Sequence, residues 1–564
     1  MADLPLSIVT APPLSEEAGL GDLTLSGWFR AVCDQGGNSE ALVYHEGGLG
    51  AGRRTTHTYR QIADEAHAVA RALIACGVGK GTRVGILMTN RPEFIAATFG
   101  TALAGGVATT LSTFSTPSEL TALIETSSVS VLLIEAQVLK KNFAAILVDL
   151  DPAVAQGRPG AVASVRFPFL THVAAIGDGE PGGAIEPWNA FLARGAAVAP
   201  AQVEARAAAN SPADPAVLFF SSGSTSRPKG ILSAHRGVTL QLWRWAKWYG
   251  AKAGEVRTWS ANGFFWSGNF AMALGGAFTR GGSLVLQSTF NPREALALIE
   301  AEKVTMILAW PHQWEQLVAA PNWAEADLSS LIYIDRQSPI AHHPTVRSVW
   351  REPYAAYGNT ESFTLSTVFP ANTPETVIGG SHGVPCHGNS FKIADPLTGA
   401  TLPLGERGEM CVKGPTMMLG YLGIPLDETV DAEGYFHTGD GGWFDPEGRL
   451  HWEGRLSDII KTGGANVSPV EVDGVLKGLP GVKAVQTVGV AHDTLGELVV
   501  ACIVPHADAV LDEAEVQSFA RETLASFKVP RRVLFFREED LALTGSAKIK
   551  TADLRKLAAE RLRA

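Results

Sequence analysis

Residues 219 to 230 read "FFSSGSTSRPKG". A short apolar run, "AVLFF", empties into Ser221, Ser222, Gly223, Ser224 and Thr225, and the stretch closes on Pro228, Lys229 and Gly230. Backbone N–H groups on a glycine-containing loop that follows a strand, with short hydroxyls and one lysine, are the materials of a phosphate cradle. The Walker-type loop needs glycine, four residues and then Gly-Lys-Ser/Thr. Here proline precedes the lysine and glycine follows it, so this is a different loop. A solvated Ser/Gly turn is the plain alternative, and the rest of the chain has to decide between them.

Outward from that loop the chain alternates helix and strand. "TYRQIADEAHAVARALIACGV" has apolar residues at helical spacing and ends at glycine, and "RVGILM" follows as a short buried strand; "EFIAATFGTALAGGV" and "VSVLLIE" repeat the theme. This predicts an α/β fold with layered, largely parallel sheets. Residues 151 to 215, rich in alanine, glycine and proline, show no period and read as a surface excursion. Near residue 455 the glycine-rich text gives way to a compact tail holding the strand "LVVACIV" and the helix "EAEVQSFARETLASF". The expected organisation is a large N-terminal domain of layered α/β sheets over residues 1–454 and a small α+β C-terminal domain over 455–564.

Composition narrows the function classes. The 564 residues are 46% hydrophobic and 18% charged, which is ordinary globular chemistry, and the chain is too long for one core. A net charge of -11 argues against a nucleic-acid partner. The five cysteines, Cys33, Cys76, Cys386, Cys411 and Cys502, have no metal-ligand spacing, and their odd number suits a reducing compartment. The N-terminal text lacks a basic start and apolar core, and no apolar run reaches the length of a membrane span, so a cytoplasmic location is expected. Oligomeric state stays open, a homodimer included.

Four further stretches keep company with the phosphate loop, all in one order. They are "YGNTE" (357–361), "TGD" (438–440), "GRLSDIIKTGGANVSPVEV" (454–472) and "TGSAKIK" (544–550). Together with Ser-Gly-Ser-Thr-x-x-Pro-Lys-Gly, this set resembles the adenylate-forming superfamily of acyl-CoA synthetases, peptide-synthetase adenylation domains and luciferases. The resemblance runs from about Thr58 to the end. Each motif alone is weak, but five in order are specific.

The resemblance implies roles. Ser221 to Thr225 and Lys229 would hold the β- and γ-phosphates of ATP, Tyr357 would pack on adenine with Gly358, Asn359 and Thr360 beside it, and Glu361 would hold Mg²⁺. Asp440 and Arg455 would bind the ribose. Lys548 would span the substrate carboxylate and the α-phosphate, so Lys548, Glu361 and Lys229 are the expected catalytic residues. The family's C-terminal domain rotates between two poses, and Gly463 and Gly464 would let a pantetheine arm pass close to the backbone. A turn at those glycines is the plain alternative. The chemistry is consistent with these residue types. A carboxylate attacking a polyphosphate must first have the charge between them neutralised.

The pattern departs from the family at several points. Ser226 replaces a usual glycine, Ser457 stands at the hinge where aspartate or lysine is common, and Ala547 precedes Lys548. In "NGFFWSGNF", Phe265 takes the usual histidine position, with Trp266 beside it and Gly268 following. In "DRQSPI", Arg336 and Gln337 stand where small residues commonly line the acyl pocket. Bulk and polarity there argue for a compact acid, aromatic or polar, with Arg336 pairing a second anionic or hydroxyl group. The competing view makes Phe264 to Trp266 core and turns Arg336 into a salt bridge. The stretch "LWRWAKWYG" (242–250) carries the same choice between pocket wall and packing.

The expected reaction is acid activation through an acyl-adenylate, then thioester formation with CoA. No carrier segment is read in the chain, so free CoA is the expected acceptor. Three alternatives remain at this stage: a carrier protein or amine as acceptor, activation of nitrite for an aromatic amine, and a nucleotide-binding sensor without catalysis.

Overall fold

The structure, a computed structural model, describes residues 5–50, 52–177, 182–221, 228–462, 465–524, 526–537 and 551–563. The chain forms two compact units. One comprises Ala11–Asn389 with Lys413–Ala432, and the other the described parts of Met1–Thr10, Ser390–Val412 and Glu433–Ala564. Among the described residues no helix is long and apolar enough to cross a membrane.

The larger unit is built on two main sheets. The eight-stranded one runs, edge to edge, Ile185–Pro187, His172–Ile176, Val131–Glu135, Arg83–Leu87, Val107–Thr110, Pro215–Ser221, Lys229–Ala234 and Gly420–Tyr421. Its first six strands pair in parallel and the last two antiparallel. The five-stranded sheet runs Met306–Leu308, Arg257–Ser260, Ser283–Leu286, Glu40–Glu46 and Arg53–Thr58. Parallel strands buried on both faces read as continuous apolar runs, and Val131–Glu135 is buried throughout.

Helices fill the space these sheets need covered. Tyr59–Ala75 starts at a capping box, with the Thr58 side chain accepting the Gln61 N–H and the Gln61 side chain accepting the Thr58 N–H. Its buried face, Ile62, Ala66, Val69, Ala70 and Leu73, follows the helical period seen in the sequence. Helix Pro92–Leu103 is buried on nearly every side and packs against it. Gly100 permits that contact, because a Cβ there would come within 2.8 Å of the Ala66 carbonyl oxygen. One apolar core joins these helices to both sheets through Leu42, Val84, Phe99, Val217 and Leu284.

The segment 151–215 departs from expectation. It supplies two strands of the large sheet, His172–Ile176 and Ile185–Pro187, and the helices Pro152–Gln156, Trp188–Arg194 and Pro200–Ala208. Val154, Val162, Phe167, Leu170 and Val173 are buried in a second core cluster. Single apolar residues separated by glycine and proline leave no period to read, yet each fills a place in the core.

The smaller unit is α+β. One sheet runs Ile8–Thr10, Ser390–Ala394, Gly408–Lys413, Phe436–Phe444 and Leu450–Arg455. The other orders Ala465–Val467, Ile460–Thr462, Gly496–Pro505 and Val482–His492, with Arg532–Phe535 added in parallel to Gly496–Pro505. Helices Pro469–Leu476 and Glu513–Thr523 contribute Val472, Leu476, Val516 and Ala520 to that sheet's core.

Candidate active site

The phosphate loop joins two antiparallel strands of the large sheet, and Ser221 lies opposite Lys229 in their register. Gly420–Tyr421 is the next strand, with Tyr421 opposite Ile231. The Lys229 ammonium sits 4.9 Å from the centroid of the Tyr421 ring. At a partly exposed site such a contact contributes about 0.5–1 kcal/mol. The Tyr421 hydroxyl donates to Glu361 Oε1 at 2.7 Å, and the Met418 N–H donates to the Glu361 carbonyl at 2.7 Å. Glu361 is half-buried, and its second carboxylate oxygen has no hydrogen bond or ion pair among the described residues. A carboxylate oxygen left open in this way fits a hard divalent cation.

The turn that carries Glu361 is shaped by its own backbone. Tyr357 is buried on the strand Ala356–Tyr357, at the end of a small three-stranded ribbon. Gly358 then passes so close to Thr364 that a Cβ would lie 1.6 Å from its carbonyl oxygen. Asn359 Oδ1 accepts the Ser362 N–H at 2.9 Å, and its carbonyl accepts the Thr364 N–H at 3.0 Å. Phe363 and Thr364 have φ of 48° and 82°, a left-handed excursion that costs about 1–3 kcal/mol per residue unless the surroundings impose it. Those surroundings are the fully buried Phe363 ring, packed edge-on against Phe219 and Phe270, and Gln241, which donates to the Leu365 carbonyl at 2.7 Å. Thr360 is half-buried on the same turn.

Asp440 lies in the smaller unit on strand Phe436–Phe444, only 3% exposed, directly opposite Arg455. Arg455 Nε is 3.0 Å from Asp440 Oδ1, and its Nη1 donates to the Thr438 carbonyl at 2.7 Å. A buried carboxylate needs such a partner. Glu409 sets the same turn. Its Oε1 accepts the Gly439 N–H at 3.0 Å and its Oε2 lies 2.8 Å from His437 Nδ1. The Thr438 hydroxyl donates to the Met410 carbonyl at 2.6 Å and accepts the Asp440 N–H at 3.0 Å. Glu409, His437 and Tyr421 were absent from the sequence reading. Glu409 and Tyr421 stand in the text "GEMCVKGPTMMLGY" and His437 directly before "TGD", and their side-chain partners lie far along the chain.

The expected acid-binding residues divide. Phe265 is buried and Trp266 half-buried, their rings 5.6 Å apart, and Phe265 meets the exposed Phe114 edge-on at 5.5 Å. Phe264 belongs to the core. The loop is clamped from outside, since Asn90 Oδ1 accepts the Phe264 N–H at 3.0 Å and Asn90 Nδ2 donates to the Asn262 carbonyl at 2.7 Å. Asn269 Nδ2 donates to that same carbonyl at 2.7 Å. Gly268 lies in the first turn, Ser267–Asn269, of the helical run that contains a π turn, Phe270–Gly275, and a Cβ on it would meet nothing within 4 Å. Space therefore lies beside Gly268.

Arg336 and Gln337 are exposed on a tight turn in which Asp335 Oδ1 accepts the Gln337 N–H at 2.8 Å. Arg336 makes no salt bridge among the described residues, so the expected alternative of a structural ion pair is not what holds it. The stretch 242–250 is packing. Trp245, Trp248 and Tyr249 are buried against one another, and Arg244 forms a buried ion pair with Glu17 at 2.7 Å. Ser222, Gly223, Ser224, Thr225, Gly463, Gly464 and Lys548 lie outside the described residues.

Comparison with known proteins places this arrangement. The family model described as AMP-binding enzyme matches residues 29–422, which begins earlier than the Thr58 expected from the motifs. That described as AMP-binding enzyme C-terminal domain matches 471–548, ending at Lys548. A 3-[(3aS,4S,7aS)-7a-methyl-1,5-dioxo-octahydro-1H-inden-4-yl]propanoyl:CoA ligase of Mycobacterium tuberculosis is 31% identical over 92% of this chain and 96% of its own length. A feruloyl-CoA synthase of an Amycolatopsis species is 30% identical over 89% of this chain and 94% of its own. In fold, the anthranilate CoA ligase AuaEII in complex with anthranoyl-AMP superposes with a TM-score of 0.78 at 24% identity, covering 98% of this chain and 99% of that one. The chain belongs to the family of AMP-binding enzymes, within the adenylate-forming superfamily.

Proposed function

We propose that the chain, an acid–thiol ligase that converts ATP to AMP and pyrophosphate, activates a compact ring-bearing carboxylic acid and passes it to coenzyme A. The observation that carries this reading is the likeness, over about nine-tenths of the chain, to curated CoA ligases whose named acids carry rings. The buried Phe265, with Trp266 beside it and open space at Gly268, supports a flat or cyclic acid over a long fatty chain.

The reaction divides among the residues as follows. A carboxylate oxygen attacks the α-phosphorus of ATP, the bond from that phosphorus to the bridging oxygen breaks, and pyrophosphate leaves. Lys229 and the hydroxyl loop bind the departing phosphates. Glu361 would hold Mg²⁺ through the oxygen that Tyr421 leaves open, where the ion would supply charge neutralisation for the phosphates. Tyr357 packs on the adenine, while Asp440 and Arg455 receive the ribose hydroxyls. Lys548 pairs with the charge that accumulates between carboxylate and α-phosphate. The thiol then loses its proton and attacks the acyl carbon, the acyl–oxygen bond breaks, and AMP leaves. Between the two steps the C-terminal domain, 455–564, would change pose about the hinge that holds Ser457, and Gly463 and Gly464 would give the pantetheine arm room. The cytoplasm suits a chain whose five cysteines are all free.

The test is pyrophosphate release with MgATP and a panel of short, fatty, aromatic and amino-aromatic acids, each with and without CoA and with and without nitrite. Acid-dependent release with aromatic acids favoured, and acyl-CoA formed only when CoA is present, is the expected result. Release that requires nitrite, or none with any acid despite ATP binding, would overturn the reading.

A further inference from the structure

We infer that Tyr421 is a positioning residue that keeps the Lys229 ammonium and the Glu361 carboxylate apart and aimed at one ligand; the inference rests on the nucleotide and metal roles proposed above. Opposite charges presented to the same side chain attract, and with nothing between them they would close into an ion pair. Such a pair would hide the cation from phosphate and the carboxylate from Mg²⁺. No ion pair joins Lys229 to Glu361 among the described residues. One phenol holds both instead. Its ring faces Nζ at 4.9 Å and its hydroxyl donates to Oε1 at 2.7 Å.

The two holds use different parts of the ring. A cation sits over the face and a hydrogen bond leaves from the rim, so the two charges are held at separate places on one side chain. Neither hold uses up what a ligand needs. The ammonium keeps its N–H donors for phosphate oxygens, and the carboxylate keeps Oε2. Both contacts are also weaker than full ion pairing with a polyphosphate or a divalent cation, so an arriving ligand can displace or share them.

Tyr421 can do this because its backbone is fixed from both sides. Leu422 N–H donates to the Gly230 carbonyl at 2.8 Å, and Leu419 N–H to the Leu232 carbonyl at 2.7 Å. That stitches the residue to the strand that begins at Lys229. Just upstream, at Met418, the same segment bonds the backbone of Glu361. The short segment 418–422 therefore measures the distance between the phosphate-loop lysine and the metal-holding carboxylate.

The test compares wild type with Tyr421→Phe, Tyr421→Leu and Tyr421→Leu combined with Glu361→Gln. ATP binding is measured by calorimetry in EDTA and across a Mg²⁺ titration, with melting temperature as the folding control. Tyr421→Phe keeps the ring and loses the hydroxyl. It should raise the Mg²⁺ needed for half-maximal ATP binding roughly tenfold to a hundredfold, the loss of one hydrogen bond to a charged group, while leaving metal-free ATP binding unchanged. Tyr421→Leu should also weaken metal-free binding roughly tenfold, and Glu361→Gln in that background should restore it by removing the competing charge. Variants that bind ATP as wild type does with and without Mg²⁺, or a Tyr421→Leu defect that Glu361→Gln leaves untouched, would overturn the inference. Should Tyr421→Leu fail to fold, the Mg²⁺ titration of Tyr421→Phe decides alone. Wild-type protein that binds no ATP would overturn the proposed function and this inference with it, whereas normal wild-type binding with unaltered variants overturns the inference only.

Discussion

Asn90 holds the loop that carries the aromatic pair by accepting the Phe264 N–H at 3.0 Å, and it does so across 174 residues of sequence. Its amide group donates to the Asn262 carbonyl in the same loop at 2.7 Å. Asn90→Ala therefore leaves the Phe264 N–H short of a partner, while the Asn262 carbonyl keeps the Asn269 amide alone. Such a loss costs about 1–3 kcal/mol when the group stays buried. Loosening of residues 262–265 should raise KM for the acid at least tenfold while the ATP dissociation constant stays at its wild-type value. Steady-state kinetics beside calorimetry check both.

Gly268 offers a second handle on the acid. Because a Cβ there meets nothing within 4 Å, Gly268→Leu should fold as well as the wild type or better, since leucine is the stronger helix former. Its side chain fills the space beside the loop. KM for ring-bearing acids should rise sharply and KM for a two- or three-carbon acid should hold. An equal change for both would remove Gly268 from the pocket.

Asp440 tests the ribose assignment. Asp440→Asn keeps the shape of the side chain and removes its charge, so Arg455 loses its ion pair and a sugar hydroxyl loses a strong acceptor. A loss of about 2 kcal/mol corresponds to roughly thirtyfold weaker ATP binding. Arg455→Ala, at a side chain that is 52% exposed, should cost less. The same calorimetric titration reads both.

Lys548→Ala separates binding from chemistry. Pyrophosphate release should fall at least about a hundredfold, as for other donors aimed at developing charge, while ATP affinity persists. Unchanged turnover would exclude Lys548 from the reaction centre.

Acid stability has a named contributor in Glu302. Its carboxylate is held by Arg54 at 2.7 and 2.9 Å, by His45 at 2.7 Å and by Arg257 at 2.8 Å. The hydrogen bonds from Arg54 lead in pulling its pKa from 4.5 down to about 2. A carboxylate depressed in the folded state stabilises the protein fully above its unfolded pKa, and that stability drains away as pH falls from about 4.5 through about 2. On the order of 3 kcal/mol is at stake. Glu302→Gln should lower the melting temperature at pH 7, and the gap between variant and wild type should narrow as the pH is brought down through about 4. A constant gap would show that the charge is not the cause.

What the sequence made legible was local. The helical spacing after Thr58, the buried run Val131–Glu135 and the five motifs each concern residues within a few positions of one another, where periodicity and turn chemistry act. Tyr421 and Glu361 are 60 residues apart, and Glu409 and Gly439 are 30 apart. Nothing in local text pairs a tyrosine with one distant carboxylate among many. The misread segment 151–215 failed for a related reason, because Val154, Val162 and Phe167 are buried singly by neighbours from elsewhere in the chain. Arg336 and Gln337 were legible as identities, while the turn at Asp335 that leaves them exposed was not.

The strand Ile8–Thr10 pairs with Ser390–Ala394, and Thr10 bonds Ser390 across 380 residues. At roughly 5–20 residues per second, a ribosome needs roughly 20 to 80 seconds to deliver the partner of a strand it made 380 residues earlier. During that interval the larger unit can close around its own core, while the opening strand waits as an unpaired edge. The strand can thus dock only after most of the chain has been made, and deleting Ile8–Thr10 would remove an edge of the sheet that also carries Asp440.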